Sequence, residues 1–233
     1  MKKMIIASTS AVYGSDYLAY LMPTLKTHFK GVTELLFIPY ARPGGVSYDE
    51  YTAIVKDAFS KMDVNVRGIH EFKNPKKAIT ESGAIFVGGG NTFELVNQIY
   101  KNDILITLKS AIDSGIPYLG TSAGSNICGV NMRNTNDMPI VHPPSFKTLE
   151  CIPFNVNAHY LDPIAGSTHM GETRETRIKE FHIFNQTPVL GLREGSWLEV
   201  LDNTVILKGI YTARLFLQNK KPSELESGLA VKL

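Results

Sequence analysis

The chain has 233 residues, enough for one large domain to bury a core without disulfide or metal staples. Hydrophobic residues make up 43% and charged residues 20%, which excludes a disordered, collagen-like or coiled-coil chain. The 24 basic and 22 acidic residues give a net charge of +2, and no Lys/Arg run exceeds two, so no nucleic-acid partner is expected. Residues 4–7 read as a first strand, ended by Ser8, Thr9 and Ser10. Leu18, Leu21, Leu25 and Phe29 recur at helical spacing, which predicts a helix over 16–30. The apolar run 35–38 is a second strand, closed by Pro39. Tyr51, Ile54, Val55, Ala58 and Phe59 mark a second helix, 64–69 a third strand, and Pro75 the first turn of a short helix ending near Ser82. Residues 84–87 form a fourth strand before Gly88-Gly89-Gly90-Asn91. Helices over 92–100 and 104–114, a fifth strand over 116–119 and a helix starting at 123–128 complete the first half.

Strands that are apolar throughout are buried on both faces, and their alternation with helices predicts an α/β fold. The expected architecture is three-layered, a mostly parallel sheet flanked by helices, in one domain spanning 1–233. The stretch 130–163 changes character. Five prolines and many asparagines predict long ordered loops. Helix returns over 172–185, and strands follow at 189–190, 197–201, 205–207 and 211–216, with a turn at Asp202-Asn203. Cys128 and Cys151 are expected to be buried and inert, in a reducing compartment. The N-terminal apolar run is too short for a signal peptide, and no stretch approaches a membrane span. A cytoplasmic monomer or homodimer is expected, with no membrane contact.

The sharpest local signal is Gly120-Thr121-Ser122-Ala123-Gly124, a G-x-S-x-G nucleophile elbow. Chance produces this pattern in roughly one chain in ten of this length, so the flanking strand and helix carry the assignment. A tight strand-to-helix turn would present the Ser122 hydroxyl beside a helix N-terminus that favours negative charge. The serine needs a base. His28 and His182 fall on helix patterns as surface or boundary residues, and His70 has no distinguishing company. His142, His159 and His169 lie in the loop region, and His159 follows an apolar stretch that reads as a strand end. An orienting carboxylate is also needed. Glu194, in a turn after a strand, is the candidate, with Asp137 and Asp162 as rivals. The glycine run ending at Asn91 could supply backbone donors for an oxyanion. It lacks the spacing of a dinucleotide loop or a P-loop, and no H-E-x-x-H or C-x-x-C occurs, so neither a nucleotide cofactor nor a bound metal is expected. On the helix from 172, Arg174 shares a stripe with Ile178 and Phe181, which aims it at the interior or a cleft where a guanidinium wants a carboxylate. Arg177 shares part of that stripe, so both stay candidates.

Together, Gly120 to Gly124, Asn134-Thr135-Asn136-Asp137-Met138-Pro139-Ile140-Val141, Gly171-Glu172-Thr173-Arg174-Glu175 and Gly191-Leu192-Arg193-Glu194-Gly195-Ser196-Trp197 resemble the peptidase E family of aspartyl dipeptidases over nearly the whole chain. The resemblance implies a fold like the class I glutamine amidotransferases. It implies a triad of Ser122, His159 and Glu194, with Asp137 as the alternative acid, and oxyanion donors at Gly90 and Ala123. It places Arg174 on an aspartyl side chain, with Asn91 also at the substrate. Small peptides would be the substrates, with no cofactor and no metal. The chain departs from the family pattern at Ala158 and Tyr160, where proline and phenylalanine are expected, and over 161–170, which bears on substrate preference. Three other readings stay open: a cyanophycinase-like hydrolase of aspartate-rich polymer or β-aspartyl dipeptides, an esterase, and a non-catalytic binding module on the same fold.

Overall fold

The computed structural model describes every residue except 165, 167 and 169. Seven strands form the large sheet in the order β3-β2-β4-β5-β1-β8-β9. Five of them, β1 (Lys3–Ala7), β2 (Glu34–Ile38), β3 (Asn65–Gly68), β4 (Ile85–Val87) and β5 (Tyr118–Thr121), run parallel. The hairpin of β8 (Ser196–Leu201) and β9 (Thr204–Gly209) joins antiparallel at the β1 edge and turns at Asp202. The apolar strands explain the layering. Met4 and Ile6 of β1 pack into the core on one face, and Ile5 and Ala7 into the core on the other.

Helices α1 (Met22–His28) and α2 (Tyr48–Ser60) cover one face, α2 opening with a reciprocal capping box between Ser47 and Glu50. Helices α3 (Pro75–Thr80), α4 (Thr92–Lys101) and α5 (Leu105–Ser114) cover the other. The helix expected over 16–30 starts late. Leu18 sits in the left-handed region at φ 58°, a short 3-10 turn follows over Ala19–Leu21, and Pro23 falls in the first turn of α1. The four apolar positions that suggested the helix are nevertheless all buried. Helix α6 (Ala123–Asn126) is a single turn, shorter than expected.

Within the long loops lies β6 (Asn155–Ala158), and it belongs to a second sheet. That sheet has the order β11-β10-β7-β6, with β7 (Val189–Leu192), β10 (Ala213–Phe216) and β11 (Ser223–Leu225). Helix α7 (Arg174–Phe184) packs on it through Ile178, against Tyr160, Val189 and Phe216. Both cysteines are buried and unpaired, and burial pushes the Cys151 thiol up to about 11. Among the described residues no helix is long and apolar enough to cross a membrane.

Candidate active site

The chemistry-bearing residues gather where the parallel strands end, the usual place for a site in an open α/β sheet. Ser122 stands between β5 and α6 at φ 53°, ψ −111°, a conformation that costs on the order of 1–3 kcal/mol for a residue with a side chain. Neighbouring contacts hold it there. The Ser122 N–H donates to Ala7 O at 3.2 Å, tying it to the adjacent tip of β1. Gly124 lies so close to the β4 backbone that a Cβ there would collide with Val87 O. Because β4 pairs with β5 in the register Val87↔Gly120, the glycine run after β4 lies against the elbow. A Cβ on Gly89 would come within 3.0 Å of Ser122 Cβ.

Gly90 has φ 144°, and any side chain on it would strike Ala41. The amides around it are occupied. Gly88 N donates to Ile38 O at 3.1 Å, Gly89 N to Tyr51 Oη at 3.0 Å and Asn91 N to Ala41 O at 2.8 Å. Among the described residues the Gly90 N–H has no acceptor. Ala123 is the first residue of α6, so its N–H has no partner within the helix either.

The second sheet brings the remaining residues. Strands β6 and β7 are parallel with Ala158 opposite Leu192, so His159 and Glu194 project from the same end. His159 Nδ1 lies 2.6 Å from Glu194 Oε1, and His159 Nε2 lies 2.9 Å from Ser122 Oγ. A carboxylate only accepts, so in the neutral ring Nδ1 carries the proton and Nε2 is free to accept from the serine hydroxyl. His159 itself has φ 54°.

The other histidines have different company. His28 and His182, read from their helix patterns as surface or boundary residues, are buried. Each holds a carbonyl, Tyr118 O at 3.1 Å and Thr187 O at 3.0 Å. Burial drops His28 to about 3. His70 contacts Asp49 at 2.9 Å, and His142 is exposed beside Phe146. His169 lies outside the described residues.

Of the rival carboxylates, Asp137 Oδ2 accepts from the Thr92 N–H at 2.7 Å and Thr135 Oγ1 at 3.1 Å, at the start of α4. Asp162 is paired bidentately with Arg193, whose guanidinium also meets Glu224 and Thr212. These hydrogen bonds hold the Asp162 carboxyl below its ordinary range. Asn91 caps α4, with Oδ1 accepting from Glu94 N at 3.1 Å and Nδ2 donating to Met138 O at 2.9 Å. Both ends of its side-chain amide are therefore engaged in holding the turn.

Arg174 and Arg177 differ in burial and partners. Arg177 is exposed, 3.7 Å from Glu172. Arg174 has a buried Nε with no hydrogen-bond partner among the described residues. Burial and the neighbouring Arg177 lower its pKa, and Asp137 partly compensates. A cavity of about 460 Å³ opens beside both arginines, walled also by Leu161, Asp162, Pro163, Ile164, Glu172 and Thr173. A partly desolvated guanidinium whose Nε lacks a partner among the described residues, beside a cavity, is a place for an anionic group.

Several residues of the site gave no local sign in the sequence. Ser8 Oγ accepts from the His159 N–H at 2.9 Å and donates to Leu192 O at 2.7 Å. Asn126 Oδ1 accepts from the Ala158 N–H at 3.2 Å. Asn136 and Asn157 bond to each other and brace the loop against β6. The asparagine density of this segment was the only hint of such bracing. Among the described residues, no three His, Cys, Asp or Glu side chains gather as a metal site.

Comparison with known proteins gives the family. The profile of Peptidase family S51 matches residues 4–208. A protein named Peptidase E from Streptomyces coelicolor is 45% identical over 225 residues, covering 97% of this chain and 91% of the relative. A Drosophila melanogaster protein named "Probable alpha-aspartyl dipeptidase" is 42% identical over 227 residues, covering 96% and 93%. The crystal structure of a peptidase from an acI-B1 Actinobacterium superposes with a TM-score of 0.74 at 13% identity, covering 100% of this chain and 97% of that one, a likeness of fold. The class is thus peptidase. More narrowly, the chain belongs to Peptidase family S51.

Proposed function

We propose that this S51 peptidase is a metal-independent serine dipeptidase that releases N-terminal aspartate, with Ser122, His159 and Glu194 as its triad. The observation that carries the reading is the continuous line from Ser122 Oγ to His159 Nε2 at 2.9 Å and from His159 Nδ1 to Glu194 Oε1 at 2.6 Å. In this reading Glu194 rather than Asp137 is the third member, because Glu194 meets His159 while Asp137 Oδ2 accepts from the Thr92 amide and Thr135.

In this mechanism Ser122 Oγ attacks the peptide carbonyl carbon while its proton passes to His159 Nε2. Glu194 keeps the imidazole in the required tautomer and stabilises the imidazolium. The tetrahedral oxyanion accepts hydrogen bonds from the amides of Gly90 and Ala123, fixed donors that need no reorganisation. Collapse breaks the C–N bond, and His159 delivers its proton to the leaving amine. Water, deprotonated by His159, then attacks the acyl ester and frees aspartate and Ser122. No step calls on a metal.

The aspartyl preference rests on Arg174 and on the name of the fly relative. The Arg174 guanidinium, short of partners beside its cavity, would pair with the aspartyl side-chain carboxylate. Asn91 would act indirectly, by holding the turn that presents the Gly90 amide.

The test is hydrolysis of Asp-Leu beside Ala-Leu and β-Asp-Leu, each with a chelator present. The expected result is turnover of Asp-Leu alone. Turnover of β-Asp-Leu in its place would move the assignment to β-aspartyl substrates. Loss of all activity on chelation would contradict the mechanism.

A further inference from the structure

We propose that Ser8 is a positioning residue that sets His159 against Ser122 by joining the two sheets; this rests on the triad reading above. Ser8 is the first residue beyond β1 and is fully buried. Its neighbour Ala7 is paired with Thr121 and accepts the Ser122 N–H, so Ser8 stands one residue from the nucleophile's own anchor.

Its hydroxyl reaches into the second sheet at two points. It accepts from the His159 N–H at 2.9 Å and donates to Leu192 O at 2.7 Å, two residues before Glu194. The Ser8 N–H donates to Ser196 O at 3.1 Å, two residues after Glu194. One small side chain thus contacts the ends of both strands from which the base and the acid project.

The need for such a residue follows from how the amides are held. Three consecutive N–H groups at the end of β6 are taken by three different elements. Ala158 N donates to Asn126 Oδ1 at 3.2 Å, His159 N to Ser8 Oγ at 2.9 Å and Tyr160 N to Leu192 O at 3.1 Å. The middle residue is also in the left-handed region, at φ 54°. Such a conformation persists in a non-glycine residue only when its surroundings over-determine it. Removing the hydroxyl leaves the His159 amide without an acceptor in a partly buried place, and the backbone gains a reason to relax away from φ 54°. A shift of about 1 Å at the base is enough to cost roughly 100-fold in rate. The hydroxyl must accept and donate at once, which threonine can do and alanine cannot.

The experiment measures kcat and KM on Asp-Leu for wild type, Ser8→Ala, Ser8→Cys, Ser8→Thr, Ser122→Ala and the control Thr148→Val. Thr148→Val also removes a buried hydroxyl bonded to a carbonyl, Gly129 O at 2.7 Å, one that bonds to no triad residue. Ser8→Ala is expected to lower kcat by about 10- to 100-fold with KM within about twofold. Ser8→Thr is expected to recover most of the loss. Ser8→Cys keeps the volume with a weak donor and acceptor, and should fall like alanine; it supplies the measurement if the alanine variant does not fold. The proposal is overturned if kcat of the alanine or cysteine variant stays within about twofold of wild type. It is equally overturned if Thr148→Val loses as much, or if Ser8→Thr recovers nothing. An active Ser122→Ala would instead overturn the triad reading itself, which separates the two failures.

Discussion

The two sheets divide the work unequally. The large sheet carries Ser122 and the glycine turn on strands buried on both faces, each next to another parallel strand. The small sheet carries His159 and Glu194 on strands that are equally buried, one of them the polar-rich Asn155–Ala158, but followed by loops that lean on asparagine and arginine networks. The nucleophile is fixed by packing and backbone contacts, and the base and acid by hydrogen bonds across a join. Geometry at the catalytic line therefore depends on that join more than on either sheet alone.

Removing the nucleophile tests the large sheet's share. Ser122→Ala should lower kcat by about 10⁶-fold if the residues act as a unit, with the thermal midpoint little changed. Steady-state rates and a melting curve together check this. Glu194→Gln tests the small sheet's share. A loss of roughly 10³- to 10⁴-fold in kcat, at nearly constant KM, is expected from an imidazole held in the wrong tautomer. A loss no greater than a few-fold would mean that the 2.6 Å contact is structural only.

Arg174→Ala should act on specificity. The expected loss is about 10- to 100-fold in kcat/KM on Asp-Leu, the worth of one charge-assisted pair, and little on a neutral dipeptide. Equal losses on both substrates would remove the specificity role.

The last effect belongs to the large sheet and concerns stability rather than rate. Burial lowers His28 to about 3, whereas an unfolded histidine titrates near about 6.5. Between those values the unfolded chain binds the extra proton, so stability is fully present above pH ~6.5 and falls as pH drops towards ~3, by at most ~1.4 kcal/mol per pH unit. Chemical denaturation from pH 7 to 4 should show this slope, and His28→Gln should flatten it. An unchanged slope would assign the acid sensitivity to other groups.

The same contrast decides what could be read from the sequence. The runs at β1, β2 and β4 are apolar enough to announce buried parallel strands, and Gly120 to Gly124 announces the elbow because strand and helix flank it. Glu194 could be picked from the turn after Val189–Leu192. Of the second sheet, the runs at 189–190 and 211–216 announced β7 and β10, but their grouping into a separate sheet could not be read, and β11 is only Ser-Glu-Leu and largely exposed. Ser8 looked only like the stop of a strand. Its partner His159 is 151 positions away, and no local pattern records such a pairing. The helical stripes of His28 and His182 misled for a related reason. A polar residue on an apolar helix reads as a boundary until the carbonyl it reaches, Tyr118 O or Thr187 O, is in view. Arg174 and Arg177 stayed tied in the sequence because Phe184, which supported the second stripe, is exposed.

The central claim is that Ser122 forms the covalent bond to substrate under the action of His159. The direct measurement is mass spectrometry of the protein after treatment with an acylating or phosphonylating serine reagent, with chelator present. The account predicts one adduct, on the peptide containing Ser122, absent in Ser122→Ala and formed far more slowly in His159→Ala. An adduct at another residue, or full Asp-Leu turnover by Ser122→Ala, would contradict it.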